Sequence, residues 1–242
     1  MTKNFEILGI TPKICELLHK QGVDEPTAIQ AQAIPPLFKG RDILAQAQTG
    51  TGKTFAFGIP IIEHIEPGSE ETEAVILAPT RELAMQITAE LRDLCVYLPG
   101  VRIVCLYGGA PIGKQIDALK KHPQIVVATP GRLSDHMKRR TVKLDNVKTV
   151  VLDEADRMLD MGFIHDVILD KLASRRNLGM FSATISREVM TSAGCTSATP
   201  RRSPCRPRRR ISPISRSTAS TWARTTRRMS WRRSSAPRAT SA

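Results

Sequence analysis

The chain has 242 residues, 41% of them hydrophobic and 24% charged, enough for one domain with a real core plus an appendage, and no apolar run is long enough to span a membrane. Five cysteines without a Cys-x-x-Cys spacing and five histidines without a paired arrangement argue against a disulfide framework and a zinc site, and leave free thiols in a reducing compartment as the plain expectation. The net charge is +13, but all 23 acidic residues and 23 of the 36 Lys+Arg precede residue 190, so the excess resides in the 13 arginines beyond residue 200.

In chain order, Met1 to Ile10 has neither the charged start nor the long apolar stretch of a signal peptide, which points to the cytoplasm. Thr11 followed by Pro12 reads as an N-cap with proline at the first helical position, and Gly22 as that helix's stop. A short apolar strand is expected over 42–45, then a helical stretch over 53–65 that Pro60 should kink or end. Further strands are expected over 74–77, 103–106, 125–128, 147–152 and 178–181. Between them, Leu83, Ile87, Leu91, Leu94 and Leu98 recur at helical spacing, as do Ile112, Ile116 and Leu119. Continuous apolar strands suit a sheet buried on both faces, so the pattern predicts a doubly wound α/β domain with a parallel sheet and right-handed crossovers.

Beyond Met190 the pattern stops. Residues 191–242 are Arg, Ser, Thr, Pro and Ala with isolated apolar residues, no Lys, Asp or Glu, and both tryptophans of the chain. Too little apolar surface is available there to offset the entropy of ordering, so a disordered Arg-rich tail is expected. Lys-free, Arg-rich sequence is what a wrong reading frame of GC-rich DNA tends to yield. A frameshift origin therefore stands against a genuine Arg/Ser-rich arm gripping RNA phosphates.

Two motifs carry chemistry. Ala47-Gln48-Thr49-Gly50-Thr51-Gly52-Lys53-Thr54 lies between a strand and a helical segment, the context of a phosphate-binding P-loop. Gly50 and Gly52 let backbone N–H groups turn toward phosphate oxygens, and the helix N-terminus adds partial positive charge. Lys53 can reach the β- and γ-phosphates, and the Thr54 hydroxyl can ligate Mg²⁺. Ala47 stands where the general pattern has glycine, which is tolerable if its φ is negative. Asp153-Glu154-Ala155-Asp156 closes the strand expected over 147–152, on the side of the sheet where the P-loop also lies. Asp153 can hold Mg²⁺, in part through water, and Glu154 is placed to orient and deprotonate an attacking water. An acidic turn there also suits a plain helix start.

With these motifs in place, residues 5–190 resemble the DEAD-box ATP-dependent RNA helicases, whose first lobe is a RecA-like P-loop domain with a mostly parallel sheet flanked by helices. Gly22 to Gln30, with Phe5 upstream, is similar to that family's Q motif. The resemblance implies that Gln30 pairs with the edge of adenine and that Phe5 stacks on its face, selecting ATP. Pro79-Thr80-Arg81-Glu82-Leu83-Ala84, Gly108-Gly109 and Thr129-Pro130-Gly131-Arg132 resemble its RNA-contacting motifs. There, helix-start N–H groups, hydroxyls and the two arginines would grip the phosphates of single-stranded or short duplex RNA without reading bases. Ordinary turn and capping chemistry would produce similar segments. Ser182-Ala183-Thr184 resembles the motif coupling ATP turnover to strand separation, with two hydroxyls able to bond the carboxylates of the acidic turn, Asp156 included; an N-cap is the plainer alternative.

Family members have a second lobe that completes the RNA track and the ATP site with arginines, and no segment after Thr184 resembles it. The expectation is therefore a domain over 1–190 with the Arg/Ser-rich tail over 191–242, monomeric and without a membrane segment. It would bind ATP and Mg²⁺, with impaired turnover; the alternative is a nucleotide-dependent RNA-binding half-clamp without catalysis. An absent arginine finger removes on the order of 10³ to 10⁵ in phosphoryl-transfer rate.

Overall fold

In a computed structural model of the chain, residues 5–160, 177–187, 189 and 209–211 are described, the last three by their backbone alone. Their centre is one parallel sheet. Its strands are β1 (Ile43–Gln46), β2 (Ala74–Leu77), β3 (Ile103–Leu106), β4 (Ile125–Ala128), β5 (Thr149–Asp153), β6 (Asn177–Ser182) and β7 (Arg209–Ile211), in the order β3-β4-β2-β5-β6-β1-β7. Every neighbouring pair is parallel, as the unbroken apolar runs predict.

The helices are α1 (Pro12–Lys20), α2 (Ala28–Phe38), α3 (Lys53–His64), α4 (Arg81–Leu94), α5 (Ile112–Leu119), α6 (Pro130–Lys138) and α7 (Ala155–Asp160). Strand pleating sorts side chains between two cores. Ile43, Ala45, Ile76, Val127, Val151 and Phe181 pack with buried residues of α1 to α4 on one face. Leu44, Val75, Leu77, Val126, Leu152 and Met180 pack with Leu119, Leu133 and Met158 on the other. None of these helices is long and apolar enough to cross a membrane.

Several expectations need correction. Pro60 does not end α3, which runs through it to His64. A proline in a helix interior costs about 3 kcal/mol, but every residue from Ala56 to Ile62 is buried, and that packing outweighs the lost bond. His64 Nδ1–H donates to the Pro60 carbonyl at 2.7 Å. The 83–98 stripe is not one helix, because α4 stops at Leu94 and a one-turn 3-10 helix, Cys95–Tyr97, follows. Strand β1 begins one residue later than expected, since Asp42 turns its Oδ1 to accept from the Leu178 N–H at 2.7 Å. Thr11 occupies the N-cap of α1 without a side-chain capping bond.

Part of the segment expected to be disordered pairs with the sheet. Ile43, Leu44 and Ala45 lie in register with Arg209, Arg210 and Ile211. The outer edge of β1 otherwise presents unpaired N–H and C=O groups, which an extended tripeptide satisfies whatever its side chains. The expected disorder of 191–208 and 212–242 lies outside the described residues, as does Glu188.

Candidate nucleotide and RNA sites

The strand order divides the candidate residues into two groups along the carboxyl edge of the sheet. The P-loop, the acidic turn and Ser182-Ala183-Thr184 follow the adjacent strands β1, β5 and β6, whereas the three segments read as RNA-contacting follow β2, β3 and β4. Ligands of open parallel sheets bind beyond these strand ends.

In the first group, Gly50 and Gly52 have φ of 79° and 84°, values that favour glycine. Ala47 is not among the residues of positive φ, so alanine is unstrained there. The loop is tied down by Thr51 Oγ1 donating to the Gln48 carbonyl at 2.8 Å and by the Ala47 N–H donating to the Ser182 carbonyl at 2.9 Å. Gly52 is the N-cap of α3 and offers no side chain to cap it, which leaves the first helical N–H groups, those of Lys53 and Thr54 included, for a ligand.

Lys53 and Asp153 meet at the centre. Lys53 Nζ lies 3.0 Å from Asp153 Oδ1, and the two side chains are 6% and 3% exposed. Burial pushes the Asp153 carboxyl above its ordinary range, while the Lys53 ammonium pulls it back. The next residue, Glu154, is buried and has φ of 53°, a left-handed conformation that costs a side-chain-bearing residue energy and is commonly retained at functional sites. Its Oε2 accepts from Arg157 Nη1 at 3.1 Å.

Thr184 donates to Asp156 Oδ2 twice, through its hydroxyl at 2.8 Å and its N–H at 3.0 Å. Ser182 differs from the expectation. Its hydroxyl accepts from the Asp156 N–H at 3.3 Å and donates to the Thr184 carbonyl at 2.6 Å, so it bonds backbone and no carboxylate. Burial would raise the Asp156 carboxyl, but the two bonds from Thr184 prevail and hold it below its ordinary range.

Gln30 lies under the P-loop. Its Oε1 accepts from the Thr27 N–H at 2.8 Å, and its Nε2 donates to the Gly52 carbonyl at 3.1 Å. Thr27 and Gln30 thus form a capping box at the start of α2. The Thr-x-x-Gln spacing was a sequence signal for that box, and the link to Gly52 was not. Phe5, in a one-turn 3-10 helix, is 4% exposed and packs in the α1 to α4 core.

In the second group, Thr80 caps α4 by accepting from the Leu83 N–H at 3.3 Å. Thr129 precedes α6 without such a bond, with Pro130 at the first helical position. Pro79 is half-buried, while Arg81, Gly108, Gly109 and Gly131 are exposed. The Arg81 guanidinium sits over the Tyr107 ring, 5.1 Å from its centroid. Arg132 Nη1 donates to the Ala110 carbonyl at 3.1 Å and to Gln115 Oε1 at 3.3 Å. Arg132, expected to grip phosphate, therefore spends one terminal nitrogen joining two of the three segments.

Sequence reasoning missed Gln115 and His136, which are 6% and 0% exposed. Gln115 sits one turn before Leu119 on the inward side of α5, and a polar residue on an apolar stripe was the available signal. His136 is held below its ordinary pKa by burial and by Arg132. Its Nε2–H donates to Gln115 Oε1 at 3.0 Å, since an amide oxygen can only accept, and Nδ1 faces the Thr141 hydroxyl at 2.8 Å.

Comparison with known proteins agrees with this geometry. A family model described as DEAD/DEAH box helicase matches residues 27–192. ATP-dependent RNA helicase CshA of Listeria monocytogenes is 51% identical over 187 residues, covering 76% of this chain and 36% of that protein. CshA of Limosilactobacillus reuteri is 49% identical over 187 residues, covering 76% and 37%. The chain thus spans about a third of the length of these curated relatives. Among solved structures, a DEAD box protein from the hyperthermophile Methanococcus jannaschii superposes with a TM-score of 0.74 at 45% identity, covering 79% of this chain and 53% of that one. A hypothetical ATP-dependent RNA helicase from Sulfolobus tokodaii gives 0.70 at 36% identity, covering 76% and 54%. With its RecA-like parallel sheet, its P-loop and its Asp-Glu-Ala-Asp turn, the chain belongs to the DEAD/DEAH box helicase family.

Proposed function

We propose that residues 1–190 form the first lobe of an ATP-dependent RNA helicase, a cytoplasmic monomer that binds Mg²⁺-ATP on the β1, β5 and β6 side and the phosphates of single-stranded or short duplex RNA on the β2, β3 and β4 side. In the whole enzyme, ATP binding would close a pair of lobes on one RNA strand and pry apart a short duplex, and hydrolysis would reset the clamp. Residues 191–242 are taken as an appended Arg/Ser-rich segment.

The buried Lys53–Asp153 pair carries the proposal, because it puts a phosphate-seeking cation and a metal-seeking carboxylate 3.0 Å apart at the head of a helix with free N–H groups. On nucleotide binding Lys53 would turn from Asp153 to the β- and γ-phosphates, beside the N–H groups of Gln48 to Thr54. The Thr54 hydroxyl and the Asp153 carboxylate suit Mg²⁺, which needs one or two protein oxygens beside phosphates and water; once bound it would neutralise phosphate charge. Glu154 would accept the proton of the attacking water. Gln30 would exchange one of its protein bonds for the adenine edge, and Phe5 would have to gain exposure to stack on the base. Asp156, Ser182 and Thr184 would transmit changes between the acidic turn and β6.

The experiment is the Mg²⁺-ATPase rate of the 242-residue chain with and without single-stranded RNA, alongside nucleotide binding. Binding with little turnover, stimulated by RNA, supports a helicase lobe. Binding with no turnover under either condition favours the half-clamp, and absence of nucleotide binding refutes both.

A further inference from the structure

The three segments assigned to RNA share a buried node that belongs to none of them. Gln115 Oε1 accepts from both Arg132 Nη1 and His136 Nε2, and Gln115 Nε2 donates to the Tyr107 carbonyl at 3.0 Å. The amide orientation follows from its partners: an arginine can only donate, so it needs the oxygen, and a carbonyl can only accept, so it needs the nitrogen. Both lone pairs of Oε1 are used. Arg132 continues the connection to the Ala110 carbonyl, and the Tyr107 ring carries Arg81 above it. An added Cβ on Gly109 would lie 3.7 Å from Arg81 Nη1, so the glycine pair also runs beside that guanidinium.

From this connectivity we infer that Gln115 is a positioning residue: it holds the Arg81, Gly108-Gly109 and Arg132 segments as one preformed phosphate-binding surface without itself reaching RNA. The amide supplies an acceptor to two donors and a donor to a carbonyl at one place, which neither leucine nor an ionised carboxylate can do. Leucine of similar volume would leave Arg132, His136 and the Tyr107 carbonyl without that partner. Glutamate would keep both accepted bonds and lose the donated one, freeing the glycine loop while leaving Arg132 in place. The inference rests on the RNA assignment proposed above, and the two can fail separately.

Hydrogen-exchange mass spectrometry of the full 242-residue chain, with and without a short oligouridylate, tests it. The readout is local, so tail arginines that bind the same RNA do not mask it. In the unaltered chain RNA should slow exchange in peptides covering 80–84, 107–110 and 129–132. In Gln115→Leu, exchange at 107–110 should rise about tenfold without RNA, and RNA protection should be lost at 107–110 and 129–132 while nucleotide binding persists. In Gln115→Glu the loosening should be confined to 107–110, and this variant decides the matter if the leucine variant does not fold. Unchanged RNA protection in the glutamate variant, or in a folded leucine variant, overturns the positioning role alone. Absence of RNA protection at all three segments in the unaltered chain overturns the RNA assignment and the positioning role with it.

Discussion

Replacing Gly52 by alanine separates backbone strain from side-chain contact at the P-loop. Gly52 has φ of 84°, and a Cβ there would lie 2.5 Å from Gln30 Nε2 and 3.4 Å from Thr27 Cγ2. The left-handed conformation costs alanine roughly 1–2 kcal/mol. Displacing Gln30 also breaks its bond to the Gly52 carbonyl, at about 1 kcal/mol, giving roughly 2–3 kcal/mol in all. Gly50 is the internal control, since its φ is 79° and nothing lies within 4 Å of an added Cβ; Gly50→Ala should therefore cost only the strain, roughly 1–2 kcal/mol. The assay is denaturant unfolding of the two variants, repeated in a Gln30→Ala background. The excess cost of Gly52→Ala should disappear there, as a direct contact requires. Equal costs for the two variants with Gln30 present would refute the placement of Gln30 beneath the loop.

Four further outcomes follow from the same geometry. Lys53→Met leaves the Asp153 carboxylate buried without its cation and should cost about 3–5 kcal/mol; adding Asp153→Asn should recover much of it, checked by urea midpoints. Glu154→Gly relieves the φ of 53° and should raise stability by about 1 kcal/mol while abolishing any ATP turnover, measured by melting and phosphate release. Thr184→Val removes the hydroxyl bond to Asp156. Because the folded carboxyl titrates below its ordinary range, the stability it confers is present above the unfolded pKa and is lost as pH falls through the folded one. The variant should therefore lose stability at a higher pH, seen in denaturation midpoints taken on acidification. Pro60→Ala restores a helical donor in α3 and should be neutral or stabilising; destabilisation beyond about 1 kcal/mol would indicate that the ring's packing matters more than the missing N–H.

Most of the fold was legible because parallel strands buried on both faces leave unbroken apolar runs; β2 and β4 are such runs throughout, and β5 is one over Val150 to Leu152. Tertiary effects escaped the sequence. Nothing local to Pro60 shows that burial on all sides will carry a helix through it, and nothing near Arg209 shows that the β1 edge will accept a strand. At the site, Lys53 and Asp153 were placed by motif, but their 3.0 Å pairing depends on β5, β6 and β1 lying side by side. Gln115 and His136 stayed hidden for a related reason. Their importance lies in bonds spanning Tyr107 to Thr141, and neither sits in a motif.

The most direct measurement is calorimetric titration of Mg²⁺-ATP into the 242-residue chain and into Lys53→Met/Asp153→Asn, chosen because the paired change avoids an uncompensated buried charge. Saturable binding by the unaltered chain, lost in the folded double variant, is the predicted result. Equal affinity in the two proteins would contradict the assignment of the nucleotide to the crevice between the P-loop and the Asp153 turn.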